Sequence, residues 1–427
     1  MIQQFEIKNF LSITQLHLDF NYAEGKAPNG FRHMECWPFF TPNKDKIRIV
    51  PCLALVGPNA SGKTNILKAF ETFRNLISLG IYNNYRPNKL HPELQTTTFS
   101  LTCFVNEPVQ NQSVLHHYDY TVEYSDRGII QETLKRDKKC IYAIHDQQLD
   151  TCNIATETYT LHDLNDILQT ECSDLVHGAY IQRRTFLSLL RERYAKLSPN
   201  AVYFHDYLKT MLILPNTANE HIQYALRFLA QNNVDEQQAL NSIYEMIRKF
   251  DVGIEGIEVR GDAPHRRRET DFVRTFEDAL YNRKYYVTMH RDARGDLVPF
   301  DLEEESSGTR ILINVVGLLF LALNNGWPVI VDELEKSLHP FIVDCLIRLF
   351  KDKDRNPHGA QLIFSSHTTD ILDGDLMRIS EIAFVDKNLK AGTSLRRLVD
   401  FEGVRNVVNF RKNYRDGAYG GIPFPYI

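Results

Sequence analysis

The sequence predicts an α/β protein: a mixed sheet with helices, in two sequence-separated lobes around a helical insertion. Three observations carry that expectation. An apolar strand, "RIVPCLALVG", runs into a glycine-bearing loop and then into the amphipathic spacing of "KTNILKAFETFRNLI". Two further apolar strands, "WPVIVDE" and "AQLIFSSH", end in polar residues in the last third of the chain. Between about residues 151 and 250 the apolar residues recur at helical spacing. The expected organisation is therefore a first lobe at 1–150, a helical insertion at 151–250 and a second lobe at 251–427.

Taken in order, "MIQQFEIKNFLSITQLHLDF" reads as two short strands joined at "NFLSI", because Phe5 and Ile7, then Leu16, Leu18 and Phe20, alternate. After the glycine-bearing loop and its helix, "TFSLTCFV", "HHYDYTVEY" and "GIIQETL" read as antiparallel strands. "DLNDILQTECSDLVHGAYIQRRTFLSLLRERYAKL", "NAVYFHDYLKTMLIL" and "DEQQALNSIYEMIRKF" are helical in spacing, with no heptad run long enough for an extended coiled coil. "IEGIEVR" and "KYYVTMHR" return to strands. "ILINVVGLLFLAL" reads as a buried helix, too short for a bilayer span. The strand "WPVIVDE", a helix from about Pro340, the strand "AQLIFSSH", another helix, the strand "EIAFVDK" and a tail complete the chain.

Composition narrows the class. The 427 residues suit one large domain with an insertion, or two to three smaller ones. A net charge of −5 shows no overall basic excess of the kind that marks nucleic-acid binders, although a local basic groove remains compatible with it. The seven cysteines are odd in number and form no C-x-x-C pair, which points to a reduced, cytoplasmic compartment. The N-terminus is charged and lacks the apolar core of a signal peptide, and no membrane role is expected.

The chemistry lies in four short stretches. "GPNASGKT", Gly57 to Thr64, fits G-x-x-x-x-G-K-[ST] between a strand and a helix. Backbone N–H groups of Asn59, Ala60, Ser61, Gly62 and Lys63 would cradle phosphate at a helix start, with Asn65 just behind them. Lys63 would reach the β- and γ-phosphates of ATP, and Thr64 would ligate Mg²⁺. "VIVDE" ends in Asp332, a second Mg²⁺ holder, and Glu333, which would polarise the attacking water. "QLIFSSH" presents His367 at a strand end, where it would face the γ-phosphate. "ESSGTR", Glu305 to Arg310, opens the most apolar helix with more polar residues than a cap alone requires.

Phosphate loop, Ser-Gly-rich helix start, Asp-Glu strand and His strand occur in an order that resembles the ATP-binding-cassette (ABC) ATPases, specifically their RecF/SMC-like branch. The resemblance covers roughly 1–125 and 250–427 and is supported by "FEIKNFLSI" and "DELEKSLHP". It implies an ABC-type ATPase head working as a head-to-tail homodimer, with room for a higher oligomer. Lys63, Thr64, Asp332, Glu333 and His367 would act on ATP in cis, and Ser307 and Gly308 of the signature in trans. The signature departs from the transporter pattern in reading "SSGT", and His339 stands where transporters place an aspartate. Gln95 is a candidate for the glutamine of the Q-loop. Within the branch, "ESSGT", "DELEKSLHP", "IFSSHTTDIL" and "NYRDGAYGGIPFPYI" look closest to bacterial AAA-type ATPases of abortive-infection and anti-phage systems. Those commonly act with an effector, a nuclease or toxin, from a neighbouring gene. The implied function is regulation of such an effector. The alternatives are a RecF-like DNA repair clamp, with nucleic acid as its partner, and an ATP-stabilised scaffold.

Two stretches test those alternatives. "LDGDL" contains the D-x-D of a TOPRIM nuclease in Asp373 and Asp375, but it reads as a helix end and turn with too little chain after it for an appended domain. "RRTFLSLLRERYAK" and "HRRRE" are the main basic stretches and read as solvated surface without interleaved aromatics.

Overall fold

The computed structural model describes residues 1–23, 39–40, 46–109, 112–154, 159–176, 179–214, 236–248, 253–260, 285–336, 338–388, 392–404 and 409–422. The chain forms two compact units. The first comprises Met1–Asn216, Ala322–Glu335 and Val343–Ile427, and the second Thr217–Leu321 with Lys336–Ile342.

The first unit is organised on one mixed sheet. Its antiparallel part runs through Gln148–Cys152, Lys139–His145, Ile129–Arg136, Gln112–Tyr124, Thr97–Val109, Ile2–Phe10, Ile13–Asp19 and Gly392–Arg397. The order then continues through Ile382–Asn388, Cys52–Val56, Gln361–Ser366, Pro328–Val331 and Leu212–Leu214, each parallel to the next. Strands of the parallel part are buried along their length, as in "CLALV" and "QLIFSS", because both faces of the sheet are covered there. The antiparallel strands alternate instead: Tyr118, Tyr120, Val122 and Tyr124 point inward. Helix Lys63–Leu79 lays Phe70 and Phe73 onto Phe5, Phe99 and Tyr120, with ring centroids 4.3 Å apart for Phe5–Phe70 and 5.9 Å for Phe73–Tyr120. That aromatic contact anchors the helix whose first turn carries the glycine-bearing loop.

The segment expected to open a helical insertion packs into this same core. Leu164 and Leu168 of helix Leu161–Glu171, Phe186 and Leu189 of Phe186–Glu192, and Phe204 of Pro199–Lys209 are all buried in it. Glu132, fully buried on the sheet, accepts the N–H groups of Phe186 and Leu187 at 2.8 and 3.0 Å and the hydroxyls of Tyr120 and Tyr142. It supplies an anionic cap from a distant strand. Three local expectations change. Helical spacing across 173–182 gives way to the hairpin Ser173–Val176/Ala179–Gln182. "LIL", Leu212–Leu214, leaves the helix to become the outer parallel strand. After His367 come turns and the 3-10 helix Ile379–Glu381 where an α-helix was expected.

In the second unit, helix Glu236–Ile247 accompanies a three-stranded antiparallel sheet of Gly256–Arg260, Tyr285–Arg291 and Leu297–Asp301. The strand Leu297–Asp301 was not anticipated. Helix Ser307–Asn325 is the one described helix long and apolar enough to cross a membrane, but Leu312, Ile313, Val316, Leu318 and Leu319 are buried, as in a core helix. The basic run at 265–269 lies outside the described residues.

Candidate nucleotide site

Three adjacent parallel strands, Cys52–Val56, Gln361–Ser366 and Pro328–Val331, end at the same edge of the sheet. The residues immediately after them are the glycine-bearing loop, His367, and Asp332 with Glu333. Open parallel sheets bind ligands at this carboxyl edge. The sheet order thus collects residues separated by some three hundred positions in sequence.

The loop is shaped as an anion cradle. Ala60 and Gly62 have φ of 62° and 109°, and such left-handed turns point successive N–H groups inward. A Cβ on Gly62 would fall 2.1 Å from Thr393 Oγ1, so only glycine passes there. Helix Lys63–Leu79 has no side-chain cap and no acidic residue in its first turn. Its N-terminal donors are therefore open to solvent or to an anion. Ser61 Oγ is buried without a hydrogen-bond partner among the described residues. An uncapped helix start, an orphaned hydroxyl and left-handed turns fit a bound phosphate. Thr393 braces the loop from behind: its hydroxyl donates to the Ser61 carbonyl at 3.1 Å and meets Ser12 Oγ at 2.7 Å. Asn65 donates to that same Ser12 at 2.7 Å, and so serves the brace in this structure.

Lys63 is buried, and its ammonium donates to the carbonyls of Gly57 and Pro58 at 2.7 and 2.8 Å. Its third contact is His367 Nδ1 at 3.3 Å. Burial lowers the Lys63 pKa, opposed by the charges of Asp332, Glu335 and Glu333. The other ring nitrogen of His367 lies 3.3 Å from Glu333 Oε1. Glu333 itself sits at φ 53°, in the left-handed region. It is held there by Ser365, whose hydroxyl accepts the Glu333 N–H at 2.8 Å and donates to Asp332 Oδ1 at 2.5 Å. The main-chain N–H of His367 donates to Glu335 Oε1 at 2.6 Å.

Of the residues singled out from sequence, Gly57, Asn59, Ala60, Ser61, Gly62, Lys63, Thr64, Asn65, Asp332, Glu333 and His367 all belong to the first unit, and Ser307 and Gly308 to the second. Ser306 caps helix Ser307–Asn325 by accepting the Thr309 N–H at 3.0 Å. Ser307, one residue on, is exposed. Thr64 is exposed, and among the described residues there is no cluster of three or more His, Cys, Asp or Glu side chains able to hold a metal alone. Asp373 accepts the Asp375 N–H at 2.8 Å within a turn, in keeping with the turn reading of "LDGDL". Gln95 is exposed, and its carbonyl accepts from Tyr85. Ser365, Glu335, Ser12 and Thr393 escaped the sequence reading, although the first three stand inside the quoted motifs.

A parallel sheet edge carrying a phosphate loop, an Asp-Glu pair and a strand-end histidine defines an ATPase-type head of mixed α/β build. Residues 52–373 match the family described as "AAA domain, putative AbiEii toxin, Type IV TA system", and the chain belongs to that family. Membership supports ATP binding and hydrolysis, and it bears out the expected kinship with abortive-infection ATPases. No curated protein matches the sequence. Among solved structures the chain is similar, at 12% identity, to an SMC head bound to the C-winged helix domain of ScpA (TM-score 0.48, covering 92% of this chain and 97% of that one). It is also similar, at 12% identity, to the SMC head domain from Thermotoga maritima (0.40, 93% and 98%). A third, also 12% identical, is an SMC head with extended coiled coil bound to the C-terminal domain of ScpA derived from Pyrococcus furiosus (0.43, 92% and 95%).

Proposed function

We propose that this chain is an ATP-dependent switch that controls a partner effector in anti-phage defence. The observation that carries the reading is the bridge from Lys63 through His367 to Glu333, at 3.3 Å on each side. It links the group that senses phosphate to the group that would activate water. Lys63 leaves the Gly57 and Pro58 carbonyls for the β- and γ-phosphates, and the loop N–H groups hold the remaining oxygens. Thr64 and Asp332 would hold Mg²⁺, which would supply Lewis-acid polarisation of the phosphate. Glu333 polarises the attacking water while His367 fixes its direction. Ser307 and Gly308 of a second copy close the site, because the phosphate charge needs donors from both chains. Such an arrangement turns over slowly: ATP joins the dimer and hydrolysis releases it. The link of the family to toxin–antitoxin systems supports an effector from a neighbouring gene as the partner.

The test is the solution mass of the Glu333→Gln protein with and without ATP·Mg²⁺, produced together with its neighbouring gene. An ATP-dependent, even-numbered assembly that Ser307→Arg abolishes is the expected result, with the effector co-purifying. A mass indifferent to ATP overturns the switch.

A further inference from the structure

Glu335 holds the same histidine as Glu333, but from the main-chain side. The ladder between Pro328–Val331 and Gln361–Ser366 ends at the Val331–Phe364 pair. Beyond it the His367 N–H finds no strand, and Glu335 Oε1 takes it at 2.6 Å. A bond from N–H to carboxylate is about twice as strong as one to a neutral acceptor. The second oxygen, Oε2, is buried with no hydrogen-bond partner among the described residues.

The ring of His367 explains why its position matters. An ammonium has three N–H donors and no acceptor. Two of those of Lys63 go to Gly57 and Pro58, so the third faces the Nδ1 lone pair at 3.3 Å. The ring proton then sits on Nε2, toward Glu333 Oε1. Both ring contacts are made only while the ring stands between Lys63 and Glu333. Turning about the main chain would break both contacts.

We infer that Glu335 is a positioning residue: it pins the His367 main chain so that departure of Lys63 toward a phosphate is felt at Glu333. The inference rests on the ATPase reading for its kinetic consequence. Its structural consequence stands without nucleotide.

The experiment compares full-length wild type, Glu335→Gln and Glu335→Ala by three readouts: binding of a fluorescent ATP analogue with Mg²⁺, steady-state phosphate release, and ¹H–¹⁵N spectra of the histidine rings without nucleotide. Alanine should lower kcat about ten- to a hundredfold while nucleotide affinity stays within about twofold. Glutamine keeps an acceptor oxygen and should stay within about threefold of wild-type kcat. In the spectra, the His367 ring nitrogens should give the same shifts in wild type and glutamine, and shifts displaced toward those of a solvent-exposed histidine in alanine. If alanine fails to fold, Glu335→Asp, too short to reach, takes its place. An alanine variant with wild-type kcat and ring spectrum overturns the inference, as does a glutamine variant as impaired as alanine. If wild type neither binds nor hydrolyses ATP, the ATPase reading fails, and the ring spectra alone decide the role of Glu335.

Discussion

Ser365→Ala removes one fully buried oxygen that serves two residues of the candidate site. The hydroxyl donates to Asp332 Oδ1 at 2.5 Å and accepts the Glu333 N–H at 2.8 Å. A hydrogen bond to a charged group contributes about 1.5–3 kcal/mol, and an N–H left unsatisfied costs about 1–3 kcal/mol. Glu333 also stands at φ 53°, which a residue with a side chain adopts at a cost of roughly 1–2 kcal/mol. With the anchor gone, that strain drives the Glu333 peptide back toward the right-handed region and draws its carboxylate from His367. The loss of fold stability should be about 3 kcal/mol, seen as a lower urea midpoint at unchanged slope. The loss of positioning should lower kcat about ten- to a hundredfold, with nucleotide affinity within about threefold of wild type. Phosphate release at saturating ATP·Mg²⁺ and titration with a fluorescent nucleotide measure the two separately. A folded Ser365→Ala protein with wild-type kcat refutes the reasoning.

Three further outcomes follow from the same coordinates. Lys351 and Glu381 form a fully buried ion pair at 2.5 Å, so Lys351→Met should cost about 3–5 kcal/mol in urea unfolding by leaving the carboxylate unpaired. Adding Glu381→Gln, which keeps an acceptor for Tyr22, should recover part of that, and a double variant no better than the single would contradict the account. Burial lowers the Lys63 pKa from 10.5, and an anion binds only the ammonium. Nucleotide affinity should therefore be complete below the lowered value and lost as pH rises through it. Asp332→Asn, which removes a charge holding that value up, should move the loss to lower pH in binding titrations. Without nucleotide the unfolded chain carries the extra proton between the lowered value and 10.5, so stability rises with pH across that window. Among the cysteines whose exposure is described, Cys345 is the exposed one, whereas burial pushes the Cys103 thiol up to about 12. A thiol reagent at neutral pH should label Cys345 and spare Cys103, read by peptide mass.

The parts of the site legible in sequence are those whose chemistry is written within a few residues. "GPNASGKT" carries its glycines, lysine and threonine at fixed offsets, and "VIVDE" and "QLIFSSH" each place their acids or histidine one step past an apolar run. What stayed hidden depends on register between strands. Ser365 matters because Phe364 pairs with Val331, which sets Ser365 beside Asp332 and Glu333, and nothing in "IFSSH" distinguishes its two serines. Thr393 matters because Gly392 and Thr393 come against Ser12 from the far end of the chain. In the fold, the strands Lys139–His145 and Gln148–Cys152 were missed because their mixed composition breaks alternation. Leu212–Leu214 was read as helix because three apolar residues fit either period.

The strand that leads into the phosphate loop, Cys52–Val56, has both its sheet neighbours in the C-terminal part of the chain, Gln361–Ser366 and Ile382–Asn388. During translation it is made long before either neighbour. Its loop gains a floor only when those two strands arrive. Pairings of such long sequence separation form late and slowly. Competence to grip a phosphate therefore waits for those two strands: a chain cut short before them by a stalled ribosome or a premature stop carries the motif without the pocket.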